Sequence, residues 1–184
     1  THPTALIAVS GGSYDMDICV DLADDGDATN DCINAIISCV SEIPTKYVVG
    51  EEKTGTWCGW CPRGTVAMDD MASEPLWIGI AVHNGDPMTV ASYDAGIGTY
   101  VPGGYPGGGV DRVLPGDPSD FAAMYEERST EIPPASIYVE AADMGDNIEV
   151  KVIAWFVGAL EGDYRLAAVI TEDGVTGTGS GYNQ

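Results

Sequence analysis

Residues 54–64 have the sequence TGTWCGWCPRG, and this stretch decides the fold. It places a C-x-x-C pair after residues 46–50, an apolar run with the composition of a buried strand. Residues 62–72 follow with apolar side chains at helical spacing and no proline after the first position. The sequence therefore predicts that the two cysteines lie at a strand-to-helix junction.

The positions of the two cysteines indicate their chemistry. Cys58 would lie just before a helix, next to unpaired backbone N–H groups and the positive end of the helix dipole, which favours a thiolate. We interpret Cys58 as the attacking thiolate and Cys61 as the thiol that resolves a mixed disulfide. An inert disulfide and half of a zinc site are the alternatives. Zinc is the weaker one because a closed site needs four ligands, and only His2 and His83 accompany the cysteines, without partner spacing.

The charge balance restricts the partners. The 184 residues include 7 Lys and Arg against 29 Asp and Glu, for a net charge of -22. Nucleic acid and anionic membrane surfaces are negative as well, so we exclude both as partners. No stretch approaches the ~18 consecutive apolar residues of a membrane span, and the N-terminus lacks the pattern of a signal peptide.

Composition also bounds the architecture and the compartment. The chain is long enough for one full domain and a smaller second unit. Its 24 glycines, about twice the average usage of ~7%, favour tight turns over an all-helical fold. Five cysteines in an acidic, lysine-poor chain favour an oxidising compartment. The abrupt ends lead us to expect a piece of a longer precursor.

The first 45 residues form a β-rich segment in this interpretation. Residues 4–10 are a short apolar strand, and residues 14–22 alternate apolar and polar side chains with the period of a strand. Residues 24–31 are an acidic turn. Its oxygens could attract calcium, but its spacing does not match the calcium-binding loop, so a solvated turn is favoured.

Residues 32–40 fit either a helix face or a β-branched strand, and we expect a helix. On that helix Cys32 and Cys39 share one face, so either could reach Cys19 in a neighbouring strand. We predict one structural disulfide from Cys19. Residues 41–45 then break the pattern and serve as a linker.

The middle of the chain continues an α/β pattern. Residues 76–82 are predicted to be a buried parallel strand that ends at His83, where ligands of open α/β sheets gather. A hydrogen-bonded loop histidine is the alternative for His83. Residues 88–100 are a helix weakened by glycines, and residues 117–128 are a helix with Asp117 as its N-cap.

Between these helices lies Tyr105-Pro106, inside the glycine-rich stretch 102–109. An aromatic residue before proline tolerates a cis peptide bond, and such a bond between a loop and a strand is usually positional. A simple glycine-rich loop is the alternative. We expect a cis bond near Cys58.

The C-terminal part changes to strand periodicity. Residues 135–141, 147–157 and 164–171 are predicted to form an antiparallel meander. Their apolar faces, like those of the N-terminal strands, are more than a small core can cover, and open edges invite pairing. We expect residues 1–45 and 135–184 to form one β-sandwich, or one of them to complete a sheet in a neighbouring subunit.

Several motifs together resemble a known family. The stretch 54–64 is similar to the active-site motif of thioredoxins. With AVHNGDPM (81–88), YPGG (105–108), DR (111–112), TEDG (171–174) and YNQ (182–184), the chain resembles the thioredoxin-like, twenty-eight-kilodalton outer membrane protein family of Gram-negative bacteria. The resemblance spans residues 46–184. It implies a cell-envelope or secreted protein with a thioredoxin-like core and an appended β unit, located in the periplasm, on the outer membrane surface or outside the cell.

Three departures accompany the resemblance. Trp60 stands where thioredoxins have proline, which alters the redox poise. Lys53 stands where the related family has an aromatic residue. Thioredoxin's buried carboxylate near the cysteines has no assigned counterpart, and residues 1–45 match no family that we can name.

The resulting prediction is an α/β thioredoxin-like core with flanking antiparallel, sandwich-like β regions, divided as residues 1–45, 46–132 and 133–184. We expect thiol–disulfide exchange with protein thiols or disulfides of the cell envelope, without cofactor or metal. Cys58 and Cys61 would carry the chemistry, and the substrate-binding residues would be Trp57, Trp60, Tyr105, Pro106 and His83. The alternative is a non-catalytic surface or assembly subunit, homo-oligomeric by strand pairing, that uses the fold as a scaffold.

Overall fold

The computed structural model describes residues 5, 7–20, 26–27, 29–158 and 162–176. The chain divides into two compact units, one of Thr1–Thr45 with Ile132–Ala168 and the other of Lys46–Glu131 with Val169–Gln184. The three-part division predicted from the sequence stays a proposal.

The fold is mixed α/β, with three α-helices and three sheets among the described residues. The strands are β1 (Ser13–Cys19), β2 (Cys32–Ser38), β3 (Val48–Thr54), β4 (Trp77–His83), β5 (Gly107–Val110), β6 (Leu114–Gly116), β7 (Ala135–Asp143) and β8 (Ile148–Phe156). The helices are α1 (Pro62–Met71), α2 (Ala91–Tyr100) and α3 (Phe121–Ser129), the last preceded by a 3₁₀ turn at Pro118–Asp120. No helix in this part of the chain is long and apolar enough to cross a membrane.

The second unit is built on a four-stranded sheet with the order β4-β3-β5-β6. Strands β3 and β4 are parallel and joined through α1, while β5 is antiparallel to β3 and β6 is antiparallel to β5. The predicted parallel strand after α1 is therefore confirmed, but it is an edge strand, and Ile78 is 44% exposed. Its continuous apolar sequence predicted a strand buried inside the sheet. In the structure, β4 pairs only with β3 among the described strands, so its other edge is unpaired there.

Two hydrophobic clusters cover the two faces of this sheet. One contains Val48, Met71, Val110 and Phe121, with side chains of α1 and α3 packed around them. The other contains Val82, Ile97 and Val101, with Tyr93 of α2. Because side chains alternate along a strand, β3 sends Val48, Gly50 and Glu52 to the first face and Glu51 and Lys53 to the second.

Both helices predicted after the first one are present. The glycine-containing helix is α2, and the Asp117 side chain accepts a hydrogen bond from the backbone N–H of Ser119 at 3.0 Å, which caps the turn that leads into α3. The first strand of the unit is shifted, however. It begins at Val48 and continues to Thr54, so it includes charged residues that the predicted strand at 46–50 left out.

The first unit contains two separate antiparallel hairpins. Strands β1 and β2 pair from Ser13 opposite Ser38 to Cys19 opposite Cys32, and β7 and β8 pair from Ala135 opposite Phe156. The predicted helix at residues 32–40 is wrong. Its β-branched side chains pair with β1 in a strand instead, and a disulfide joins Cys19 to Cys32 across the hairpin. The predicted disulfide from Cys19 is thus confirmed, and Cys39 is a free thiol.

Two other predicted strands are not observed. Residues 164–171 have no strand structure, and no strand pairs with them among the described residues. Residues 5 and 7–10 also lack strand structure, whereas residues 4 and 6 and three residues of the acidic turn (24, 25 and 28) lie outside the described residues. The shared β-sandwich stays a prediction, since the hairpins are two sheets of one unit.

Candidate dithiol site

Cys58 and Cys61 form a disulfide at the strand-to-helix junction, as the sequence predicts. Cys61 is the N-cap residue of α1, and its carbonyl accepts hydrogen bonds from the N–H groups of Gly64 at 2.8 Å and Thr65 at 3.2 Å. Cys58 lies one turn earlier, where its N–H donates to the Gly55 carbonyl at 2.9 Å. Cys58 is 8% exposed and Cys61 is 0% exposed, so a partner can reach only Cys58.

The helix N-terminus supplies the electrostatics of this pair. No side chain caps the first turn of α1, and no acidic residue lies in that turn. The positive end of the helix dipole is therefore not neutralised by a side chain and can stabilise a thiolate on the preceding turn.

Trp57 forms one wall of the site and is 55% exposed. Its indole N–H donates to the backbone carbonyl of Asn84 at 2.6 Å, and its ring meets the ring of Tyr105 edge-on, with 5.2 Å between the centroids. Gly55 lies under the indole, where an added Cβ would come within 2.6 Å of the Trp57 nitrogen. The fold therefore brings Trp57 and Tyr105 together, and Trp60, three residues after Trp57, is 76% exposed.

The Tyr105-Pro106 bond is cis, as predicted, and it directly precedes β5. Pro106 faces α1, since a Cβ added to Gly64 would lie 3.3 Å from the Pro106 Cβ. The loop that carries the cis bond is therefore adjacent to α1, the helix whose N-cap is Cys61.

His83 ends β4 and points its Nδ1 to the Asp86 carboxylate at 2.6 Å. Asp86, with a side chain that is 1% exposed, also accepts hydrogen bonds from the backbone N–H groups of Thr56 at 3.0 Å and Met88 at 2.9 Å. Burial opposes ionisation of Asp86, but these hydrogen bonds outweigh it and hold its pKa below the usual range. The pair of His83 and Asp86 thus connects the loop after β4 to Thr56, the residue before Trp57. Substrate binding by His83 stays a prediction.

Sequence reasoning missed three consecutive charged residues that are buried in the central strand. Glu51, Glu52 and Lys53 are 2%, 1% and 5% exposed. Glu51 is paired, because the Arg112 guanidinium donates to both carboxylate oxygens at 2.8–3.2 Å and the Tyr93 hydroxyl donates at 2.6 Å. Burial and the hydrogen bond to Glu51 raise the pKa of Tyr93 to about 12.

Glu52 is different, because its Oε1 has no hydrogen-bond partner within the described residues. Burial raises the pKa of Glu52 to about 7, although the nearby charge of Arg63 opposes the shift. The carboxyl sits against Gly64 of α1, where an added Cβ would overlap its Oε1. A proton acceptor that titrates near neutrality thus lies between the strand before Cys58 and the helix after Cys61.

One signal in the sequence could have found Glu52. It continues the every-second-residue series Val48, Gly50, Glu52 on the face of β3 that packs against α1. The strand predicted at residues 46–50 ends two residues before Glu52.

Comparisons with known proteins add little to this geometry. No protein-family model matches the chain, and no curated protein matches it significantly. Among solved structures, the chain is similar to HBP35 of Porphyromonas gingivalis, with a TM-score of 0.47 and 19% identity. The similarity covers 54% of this chain and 38% of that chain.

Proposed function

We propose that the unit containing Lys46–Glu131 is a thioredoxin-like module for thiol–disulfide exchange in an extracytoplasmic protein. The observation that carries the proposal is the asymmetric pair at the N-terminus of α1, in which Cys58 is 8% exposed and Cys61 is 0% exposed. The sheet order β4-β3-β5-β6 and the cis Tyr105-Pro106 bond before β5 support it. The two disulfides and the motifs shared with the twenty-eight-kilodalton outer membrane protein family fit a cell-envelope or secreted location.

In the reducing direction, the Cys58 thiolate attacks one sulfur of a partner disulfide. The partner's S–S bond breaks, a mixed disulfide forms on Cys58, and the other partner sulfur leaves as a thiolate. Cys61 then attacks the Cys58 sulfur, which releases the second partner thiolate and regenerates the Cys58–Cys61 disulfide. Two electrons pass from the dithiol to the partner.

Glu52 is suited to take the proton that Cys61 must lose before it attacks. Its carboxyl is buried beside α1, its Oε1 has no hydrogen-bond partner among the described residues, and its pKa is raised to about 7. It can therefore exchange a proton at neutral pH. In this role it corresponds to the buried carboxylate of thioredoxins.

Substrate contacts fall to the exposed side chains around Cys58. Trp57 and Trp60 offer apolar surface to a protein partner, and the loop at Tyr105-Pro106 presents backbone to an extended segment. His83 contributes through the Asp86 pair. The partners would be thiols or disulfides of envelope proteins.

Alkylation of the reduced protein tests the nucleophile. The pH dependence of the Cys58 alkylation rate should give a pKa well below the free-thiol value of ~8.5. Cys39 provides the internal reference, because no helix N-terminus precedes or follows it in the described hairpin. A Cys58 value at or above 8.5 would remove the argument for an activated thiolate.

A second candidate function, a non-catalytic structural or assembly subunit, is favoured by the hairpins of the first unit. The register of β7 and β8 places on one face a set of side chains that is apolar apart from Asp143: Ala135, Ile137, Val139, Ala141, Ile148, Val150, Val152, Ala154 and Phe156. Among them, Ile137 is 63% and Val139 is 57% exposed. An isolated hairpin is marginally stable in water, so strand pairing between copies would stabilise it.

Measurements of size against concentration at low and high salt test this candidate. Polymers that survive dilution would support assembly by strand pairing. A concentration-independent monomer whose hairpin amides are protected from hydrogen exchange would instead indicate that the apolar faces are covered within the chain.

A further inference from the structure

Lys53 is a buried lysine with no assigned task in the exchange chemistry. It lies in the central strand, five residues before Cys58, and is 5% exposed. We propose that Lys53 is a positioning residue that fixes the segment 101–106 and the Tyr105 ring as the wall against which a protein substrate docks. The inference rests on the proposed exchange function and adds a determinant of substrate class.

The contacts of the ammonium group show what it holds. Nζ donates to the backbone carbonyls of Val101 and Gly103, each at 3.0 Å. These residues lie at the end of α2 and in the loop that leads to the cis bond. A buried ammonium is tolerated where hydrogen-bond acceptors replace its water, so Lys53 and this loop stabilise each other.

The same group also supports Tyr105. Nζ lies 4.9 Å from the centroid of the Tyr105 ring, within the range of a cation–π interaction. The ring also meets the Trp57 ring edge-on, with 5.2 Å between the centroids, and the Tyr105 hydroxyl donates to Asp94 at 3.4 Å. Lys53 and Trp57, four residues apart in the chain, thus contact the same ring.

This arrangement predicts a selective effect on substrates. A small disulfide needs only access to Cys58, whereas an extended protein segment must also lie along the loop before Pro106. Loosening the loop should therefore weaken docking of a protein disulfide without changing the reactivity of the dithiol. Such an effect appears in the KM for a protein substrate and not in the rate with a small one.

Lys53→Met tests the role, because it keeps the length of the side chain and removes the donors and the charge. Lys53→Arg is the conservative control, since it retains both. We expect Lys53→Met to raise the KM for reduction of insulin by at least about tenfold, because it removes two charge-assisted hydrogen bonds and the loss of one alone corresponds to about that ratio. Its kcat and its rate with oxidised glutathione should stay unchanged, and hydrogen exchange of the amides at 101–105 should become faster. Lys53→Arg should restore the insulin KM toward the wild-type value.

Three outcomes would overturn the role of Lys53. They are an unchanged insulin KM, an equal loss of rate with insulin and glutathione, or unchanged hydrogen exchange at 101–105. If the wild-type protein reduces neither substrate, the proposed function fails. Hydrogen exchange of the amides at 101–105 then tests by itself whether Lys53 holds this segment. Should Lys53→Met not fold, Tyr105→Leu leaves the lysine paired with its two carbonyls. It must raise the insulin KM in the same way, and an unchanged KM would contradict the proposal.

Discussion

The carboxyl of Glu52 in β3 fills the space next to the α-carbon of Gly64 in α1, so that a methyl group on Gly64 would overlap Oε1. Glycine within a helix is unfavourable by about 1 kcal/mol relative to alanine. Its presence in the first turn after Cys61 is explained by the buried carboxyl that it accommodates. This contact links the strand before the dithiol to the helix after it.

Gly64→Ala should destabilise the second unit by about 1–3 kcal/mol, because the added methyl must displace a buried side chain. Gly96→Ala in α2 is the matched control. It adds a methyl group to a helical glycine with no atom within 4 Å and should stabilise by about 0.5–1 kcal/mol. Denaturant unfolding of the oxidised protein gives both values. Effects of the same sign would contradict the packing of Glu52 against Gly64.

Glu52 makes the stability of the protein depend on pH. Its folded-state pKa of about 7 lies above the ordinary value of 4.5, so its stabilising contribution is complete below pH 4.5 and is lost as the pH rises through 7. The shift corresponds to about 3 kcal/mol. Glu52→Gln removes this titration, so the variant should gain about 3 kcal/mol relative to the wild type between pH ~4.5 and ~8.

Unfolding free energies at a series of pH values measure this difference. Comparison with the wild type at each pH cancels the effect of the overall charge of -22. Glu74→Gln, which removes an exposed carboxyl of the same unit, should leave the profile unchanged in shape. Parallel profiles for Glu52→Gln and the wild type would show that the pKa of Glu52 is the same in the folded and unfolded states, which would contradict the predicted shift.

Arg63 should tune the same carboxyl. Its charge lowers the pKa of Glu52, and its guanidinium is held by the Asp117 carboxylate through two hydrogen bonds of 2.5 Å. Arg63→Gln should therefore raise the pKa of Glu52, whereas Arg63→Lys, which retains the charge, should change it less. The chemical shift of the Glu52 carboxyl carbon, followed by NMR against pH, gives the pKa of this group directly. A lower pKa of Glu52 in Arg63→Gln would contradict this account.

The pair of Glu51 and Arg112 should matter more for stability than a surface pair. Glu51 is 2% exposed, so Arg112→Met leaves a buried carboxylate without its cation and should cost about 3 kcal/mol. Lys151→Met is the control. It removes a partner of Glu140 in a pair whose side chains are 61% and 50% exposed, and it should change the unfolding free energy by less than about 1 kcal/mol. Equal effects would show that Glu51 is neutral or hydrated.

The sequence predicted the parts of the fold that depend on local pattern. The C-x-x-C motif with its following helix, the strand at Trp77–His83 and the Asp117 cap follow from spacing and capping preferences within about ten residues. The cis bond at Tyr105-Pro106 was also predicted, from an aromatic residue before proline in a loop.

The remaining features depend on long-range pairing that no local pattern contains. The local pattern of residues 32–40 fits a helix. The strand they form instead depends on pairing with β1, in which Cys32 lies opposite Cys19 and forms a disulfide with it. The burial of Glu51, Glu52 and Lys53 depends on Arg112, Gly64 and the carbonyl of Val101, which lie 61, 12 and 48 positions further along the chain. Charged residues normally end a predicted strand, so the central part of β3 was lost from the prediction.

The reduction potential of the Cys58–Cys61 pair tests the central claim most directly. The oxidised protein is equilibrated in thiol–disulfide buffers of known potential, quenched by alkylation, and the peptide with both cysteines is quantified by mass spectrometry, separately from the Cys19–Cys32 peptides. The proposed exchange function predicts a potential between about -120 and -270 mV. A potential below about -300 mV would mean that the pair is a structural disulfide and would contradict the proposal.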